Sequence, residues 1–416
     1  MTIHEPATDL APRRDPLHPV LHRVLHPAGW PPWLQVVAIF ACARLITTAA
    51  LLILGGTLTA QSRGGVDPEF FDYSAIWDGD WYRIISYYGY PAQLPVDLSG
   101  AVRQNPWAFM PVYPFLVRAL VTITGLRWSV AAVGVSLAFG FGAALVIYRI
   151  MRLRLPHASA LFSVLLFSIG PASFILQMAY AESMQLFLLA LALLLLIQRR
   201  WAPLFPVVAV MALTRPTGLA FALALGCYWI VRYLRRRSDP FPRRTMLVTG
   251  GLVLYSLAMG LAWPAIAWAV TGSLHAYTDT ELAWRSGWIG QDELQLFTPW
   301  FAAAAMWFAN PGGPVVVVVV VALVAAFALS FALPSVRALA IELRLWLASY
   351  GLYLLAVFFP QTSLVRLLVP MFPFVGALAA PRSRAYRIGI VVLLQGLQLL
   401  WLSVTWGPIQ AYWTTP

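Results

Sequence analysis

Apolar residues along this chain neither alternate nor recur at amphipathic spacing. They come in unbroken runs, most of them about 20 residues long, divided by short polar stretches. Runs of that length predict membrane-spanning helices, here at residues 34–58, 128–148, 158–177, 182–198, 202–214, 217–233, 246–270, 314–333, 345–359, 366–380 and 386–406. Two stretches need separate treatment. Residues 107–125 are apolar but carry Pro111, Pro114 and Arg118. If they crossed, the basic cluster that follows would fall on the wrong side, so a helix in the outer interface or a re-entrant one is expected. Residues 201–234 have basic ends on both sides and must cross an even number of times. As continuous helix they reach roughly 51 Å, short of two full crossings of about 30 Å each. A broken hairpin at "TRPTG" is expected, because Pro216 and Gly218 interrupt the helix. Such backbone at membrane depth is tolerated where it is buried or lines a cavity.

Composition agrees with an all-α polytopic membrane protein. Of 416 residues, 60% are hydrophobic and only 11% charged, with mean hydropathy +0.75; soluble domains carry about 25% charge. The intervals between runs are too short for a separate soluble domain. One integral membrane domain is expected over 33–406, with an N-terminal tail at 1–32 and a C-terminal tail at 407–416. The first 30 residues are polar and rich in Pro and His, without the short apolar core of a cleavable signal. A net charge of +12 suggests nucleic acid, but the arginines are dispersed in small clusters between apolar runs, which excludes that reading. Every basic residue other than histidine is arginine, a composition expected of a high-GC bacterial genome. Cys42 and Cys227 fall inside apolar segments and read as small hydrophobes.

Charge position orients the spans. Arginines cluster at Arg13, Arg14 and Arg23; Arg149, Arg152 and Arg154; Arg199 and Arg200; Arg232, Arg235–Arg237, Arg243 and Arg244; Arg337 and Arg344; and Arg382, Arg384 and Arg387. Cytoplasmic loops collect arginine, so these turns are expected inside. Most acids lie in 59–106 (Asp67, Glu69, Asp72, Asp78, Asp80, Asp97) and 272–298 (Asp279, Glu281, Asp292, Glu293). These belong to a first outer loop, 59–127, and a second, 272–313. About 11 crossings then put the N-terminus inside and the C-terminus outside.

The first outer loop contains "FFDYSAIWDGDWYRIISYYGYP", residues 70–91. Asp78-Gly79-Asp80 has the form of a metal clamp for a nucleotide-sugar. Nucleotide-sugars are cytoplasmic, so an outward loop argues against that use. Aromatic residues such as Trp77, Trp81, Tyr82, Tyr87, Tyr88 and Tyr90 suit a membrane interface. They do not explain an acid held beside Trp77 in a rigid aromatic frame, which points to a functional carboxylate.

"WDGDWYRIISYYGYP" resembles the signature of bacterial PIG-V-like mannosyltransferases, relatives of the second GPI mannosyltransferase. "AFMPVYPFLVRAL", "GPASFILQMAYAESMQLFLLALALLLL", "ALTRPTGLA" and "SLVRLLVPMFPFVGALA" follow in the same order, over about residues 35–380. Ser86, Met110 and Ala181 depart from the usual residues. The resemblance implies a GT-C-like bundle with interfacial helices in the first outer loop, an essential acid there, and a polyprenyl- or dolichyl-phosphate sugar as donor.

Candidate roles follow. Asp78 is the expected general base, which typically contributes about 10²–10⁴-fold. Asp80 ranks second; on a helix it would point about 200° away and only in an extended loop share a site. Arg215 and Arg366 are expected to hold the donor phosphate. Glu182–Arg215 as a structural pair, and Arg366 snorkelling to the interface, remain open alternatives. Trp77, Trp81, Tyr82, Tyr113, Tyr180 and Glu182 are candidates for the substrate pocket. Arg44 reads as structural and His275 as a lone histidine. No metal or other cofactor is expected. The expected partners are a polyprenyl-phosphate sugar, a glycan or glycolipid acceptor and membrane lipids, in a bacterial plasma membrane. Transfer of another sugar such as arabinofuranose or glucose, or transport of a lipid-linked sugar, are the competing functions.

Overall fold

The computed structural model describes residues 29–290, 293–308 and 313–408. The arginines Arg13, Arg14 and Arg23, Asp292 and most of the two predicted tails lie outside them. Among the described residues the structure is helical, with one isolated bridge between Val96 and Val102. The longer helices are α1 (Pro32–Gly55), α2 (Asp78–Tyr88), α3 (Val112–Thr124), α4 (Trp128–Arg152), α5 (His157–Ile169), α6 (Glu182–Ile197), α7 (Leu204–Ala212), α8 (Gly218–Leu234), α9 (Arg243–Thr271), α10 (Ala276–Ala283), α11 (Pro299–Trp307), α12 (Pro314–Ser330), α13 (Ile341–Val357) and α14 (Arg384–Trp406).

Four helices, α1, α4, α9 and α14, are long and apolar enough to cross a bilayer, and several shorter apolar ones accompany them. This is the architecture of a membrane-embedded helical protein. The central pair is α4 with α6. More than half of α4's apolar window is buried, 56%, against 17% in α9 and α14. Those two peripheral helices therefore turn apolar side chains outward, which lipid satisfies and water does not.

Helix breaks fall where backbone chemistry requires them. The run at 158–177 is helical only to Ile169; Gly170 and Pro171 end it, and a 3₁₀ turn, Ser173–Gln177, follows. The 201–234 stretch breaks between α7 and α8 at Leu213–Thr217, around Pro216. The 366–380 run is not one helix: Pro370 and Pro373 divide it into Leu364–Leu367, Val369–Met371 and Phe374–Leu378. Residues 107–125 form a short 3₁₀ turn, Pro106–Ala108, then α3. The 13 residues of α3 span about 20 Å, too short for a straight crossing. The 272–313 stretch also carries structure that its composition did not announce, α10 and α11.

The basic turns gather at one end of the bundle. Arg199 and Arg232 both pair with Asp239, at 2.6 and 3.2 Å. Glu342 at the start of α13 lies within electrostatic reach of Arg154, Arg199 and Arg232. Arg387 donates to Ser159 Oγ at 3.0 Å, bringing the start of α14 to the start of α5. The two acid-bearing segments meet elsewhere: Asn105 Nδ2 donates to Thr280 Oγ1 at 2.8 Å, and the Trp107 ring packs 5.1 Å from that of Trp263 on α9.

Candidate functional site

Asp78 opens α2, and the chain bends sharply to present it. Trp77 just before it has φ 64°, a left-handed conformation rare for a bulky residue. Surrounding contacts hold that turn. Trp77 Nε1 donates to the Thr405 carbonyl at 3.1 Å, and Trp406 Nε1 to the Tyr73 carbonyl at 3.1 Å, so the end of α14 clamps the turn from behind. Ala179 N donates to the Ser74 carbonyl at 3.0 Å. The Asp78 backbone N–H donates to the Tyr180 hydroxyl at 3.3 Å. Gly79 sits against Ala179, where a Cβ would meet its neighbours at 3.6 Å.

Four charges converge on this point from four separate parts of the chain. Arg366 Nη1 donates to Asp78 Oδ2 at 2.5 Å. Arg215 Nη2 donates to Glu182 Oε1 at 2.8 Å. The pairs interlock, because Arg366 Nε is 3.4 Å from Glu182 Oε1 and Arg215 Nη1 is 3.9 Å from Asp78 Oδ2. The four side chains are between 7% and 15% exposed, a level at which removing one partner of an ion pair costs about 3–5 kcal/mol. Both arginines come from helix breaks. Arg215 lies in the α7–α8 break, and Arg366 in the short helix before Pro370. Interrupted backbone thus supplies charge at the place where the apolar runs could not.

Aromatic rings line the cluster. Arg215 Nη1 donates to the Tyr82 hydroxyl at 3.3 Å, and Arg366 lies over the Tyr180 ring, 5.5 Å from its centroid. Tyr113 stands one layer back: its ring packs edge-on to Tyr82 at 5.0 Å, while its hydroxyl donates to the Ala132 carbonyl at 3.0 Å. Trp81 stacks on Phe109 at 5.9 Å and meets the edge of Trp284 at 5.6 Å.

Asp78, Glu182, Arg215, Arg366, Tyr82 and Tyr180 are therefore brought together. Asp80 is not. Two positions along α2 it points away from Asp78 and pairs with Arg63 at 3.2 Å and Arg83 at 3.0 Å, the helical outcome of the two alternatives. Trp77 turns its indole N–H toward α14, and Trp81 belongs to a neighbouring aromatic group. The alternative of a Glu182–Arg215 pair is present, as one edge of a four-membered network. Arg366 does not snorkel; it is buried against Asp78. Arg44 donates to the carbonyls of Ser168 and Ser173 and ties α1 to the end of α5. His275 is exposed at the start of α10. Among the described residues, no group of three or more His, Cys, Asp and Glu side chains comes together.

One acid beyond those singled out by motif also reaches this region. Glu281 on α10 is solvent-exposed as a residue, with Tyr277, Arg215 and Asp78 within electrostatic reach of its carboxyl. Loss of hydration raises its pKa from 4.5 to about 7; Tyr277 and Arg215 oppose the rise and Asp78 adds to it. In the sequence it was one acid among four in the segment, with no pattern to separate it.

The sequence matches no family model and is similar to no curated protein.

Proposed function

We propose that the chain is a membrane glycosyltransferase that moves mannose from a polyprenyl-phosphate donor to a glycan or glycolipid acceptor, with inversion. The observation that carries this reading is the Asp78–Arg366–Glu182–Arg215 network, together with the ordered motifs that resemble PIG-V-like mannosyltransferases. In that reading the bundle is GT-C-like with about 11 crossings. The site faces outward from a bacterial plasma membrane, as the arginine distribution suggests.

The chemistry follows from the groups present. Five N–H donors give a guanidinium room for more than one anion, and among the described residues Arg366 donates hydrogen bonds through Nη1 alone. A donor phosphate entering beside Arg366 and Arg215 competes with Asp78 for them. Asp78 is thereby released toward the acceptor hydroxyl. As that oxygen bonds to the anomeric carbon, the carbon–phosphate oxygen bond breaks and its electron pair leaves with the phosphate. The hydroxyl proton passes to Asp78. Charge growing on the phosphate is met by the arginines, and Glu182 keeps Arg215 in place.

The test is transfer by the purified protein in sealed proteoliposomes, with radiolabelled polyprenyl-phosphate-mannose and a lipid-extract acceptor. Labelled glycan or glycolipid is expected. Counterflow of the lipid-sugar with no transfer to any acceptor would sink the transferase in favour of transport. Transfer from a glucosyl or arabinofuranosyl donor but not the mannosyl one would reassign the sugar.

A further inference from the structure

In the transferase reading the charge network takes the phosphate on its arginines and the reacting hydroxyl on Asp78, but it offers nothing to hold the rest of an acceptor sugar. The segment that follows α9 supplies a second wall. On α10, Tyr277 and Glu281 are one turn apart, and Trp284 at its C-terminal cap follows on the same face. Thr280, on the adjacent face, is buried and fixed to Asn105. Trp284 packs edge-on to Trp81 at 5.6 Å and to Phe109 at 5.7 Å. These contacts hold α10 against the same outer segment that carries Asp78. The groups facing Glu281 are Tyr277 on its own helix, Tyr353 on α13, Asp78 on α2 and Arg215 in the α7–α8 break. Among the described residues no arginine forms an ion pair with it.

With no arginine ion-paired to Glu281 among the described residues, and Asp78 adding negative charge within its electrostatic reach, this wall suits a neutral group better than the donor phosphate. A carboxylate has about four acceptor positions and takes hydrogen bonds from hydroxyls well, and an adjoining indole offers an apolar face to sugar C–H groups. We propose that α10 is the acceptor side of the site, with Glu281 accepting hydrogen bonds from hydroxyls of an uncharged sugar whose ring lies along Trp284. This rests on the transferase reading and adds the acceptor class to it: a neutral glycan terminus, not a phosphorylated or otherwise anionic one. Since Glu281 titrates near neutrality, sugar binding should strengthen as the carboxyl ionises.

Binding of radiolabelled octyl glycosides of mannose, glucose and galactose to the full chain in nanodiscs tests this without requiring turnover. At least one should bind at pH 8 and weaken several-fold at pH 6. Glu281→Gln should weaken binding by about tenfold or more, the scale of one charge-assisted hydrogen bond, and should flatten the pH dependence. Glu281→Asp should keep part of both. In the transfer assay the same Gln variant should raise KM for the acceptor more than it lowers kcat. Equal binding by wild type and Glu281→Gln, no binding of any glycoside, or equal binding of a 6-phosphorylated glycoside would overturn the proposal. Glu281-dependent sugar binding with no binding or transfer of any polyprenyl-phosphate sugar would instead remove the transferase reading and leave a neutral-sugar site.

Discussion

Asp78 differs from the chain's other acids in what holds it: an arginine from a broken helix, a tyrosine hydroxyl on its own N–H, and a strained tryptophan before it. Asp78→Asn keeps the shape and one acceptor oxygen but cannot take a proton usefully. Transfer should fall by about 10²-fold or more, while donor binding is kept or strengthened, because Asp78 no longer competes for Arg366 and Arg215. Asp80→Asn should be much milder, because Asp80 faces Arg63 and Arg83. Near-normal turnover by Asp78→Asn would end its assignment as base. Transfer should also persist in EDTA, since the two carboxylates of the D-x-D diverge and each is occupied by arginine; loss with chelator and recovery with manganese or magnesium would restore the clamp. At Glu281 a linkage effect is expected. Its folded pKa, about 7, lies above 4.5, so between those values the folded state holds a proton that the unfolded state has lost. The stability this gives is full below about pH 4.5 and is lost as pH rises through about 7. The thermal midpoint of wild type, measured against Glu281→Gln, should fall over that window; an unchanged difference would show that Glu281 has no raised pKa. Residues inside a motif, Asp78 and Arg366 among them, were legible from the sequence. Glu281 was not, because what distinguishes it is desolvation and distant neighbours, and neither leaves a local pattern.

Helices whose ends are set by proline and charge were legible, since those signals are local: α4, α9 and the break at Pro216 lie where the apolar runs and the prolines put them. The 366–380 run misled because its mean hydropathy is that of a span, whereas Pro370 and Pro373 act on single backbone hydrogen bonds that an average over the window does not register. Close helix crossing is likewise invisible in one sequence. Gly218, which opens α8, and Gly260 in the middle of α9 face each other: a Cβ on Gly218 would lie 2.7 Å from Gly260 Cα, and one on Gly260 would lie 2.8 Å from Leu219 N. Backbone on both sides cannot yield as a side-chain tip does. Gly260→Ala should therefore cost about 1–3 kcal/mol by overpacking, even though alanine is the better helix former by about 1 kcal/mol. Gly251→Ala, with nothing near its added Cβ, should be neutral or slightly stabilising. Thermal unfolding in nanodiscs separates them, and a Gly260→Ala protein as stable as Gly251→Ala would contradict the crossing. The same crossing sets where α8 begins, one residue after the break that carries Arg215, so Gly260→Ala should also impair donor binding.

At the scale of the whole molecule, several arginine-bearing turns gather in one place among the described residues. Arg154, Arg199, Arg232 and Glu342 share one neighbourhood, and Arg387 ties the start of α14 to α5 beside it. Asn105 and Thr280 join the two acid-bearing segments, the first of which carries Asp78. The tendency of arginine to collect in cytoplasmic loops is the ground for a prediction of orientation. The turn of residues 235–239 should then be cytoplasmic and the turn near Gly100 external. This is testable by cysteine labelling in a background lacking Cys42 and Cys227. Gly100 suits the purpose because its surroundings are open, with nothing within 4 Å of a Cβ there, although its φ of 87° makes Ser99, on the same exposed turn, the safer site. Ser99→Cys should react with a membrane-impermeant maleimide on intact cells. Ser238→Cys should react only after permeabilisation. The assignment of the site to the outer face depends on that result: a lipid-phosphate sugar is the donor that an outward site requires, and a nucleotide-sugar is the one that an inward site would allow. Labelling of both positions from the same side would break the orientation predicted from charge. Labelling in the reverse sense would keep the fold and the network but turn the donor argument over.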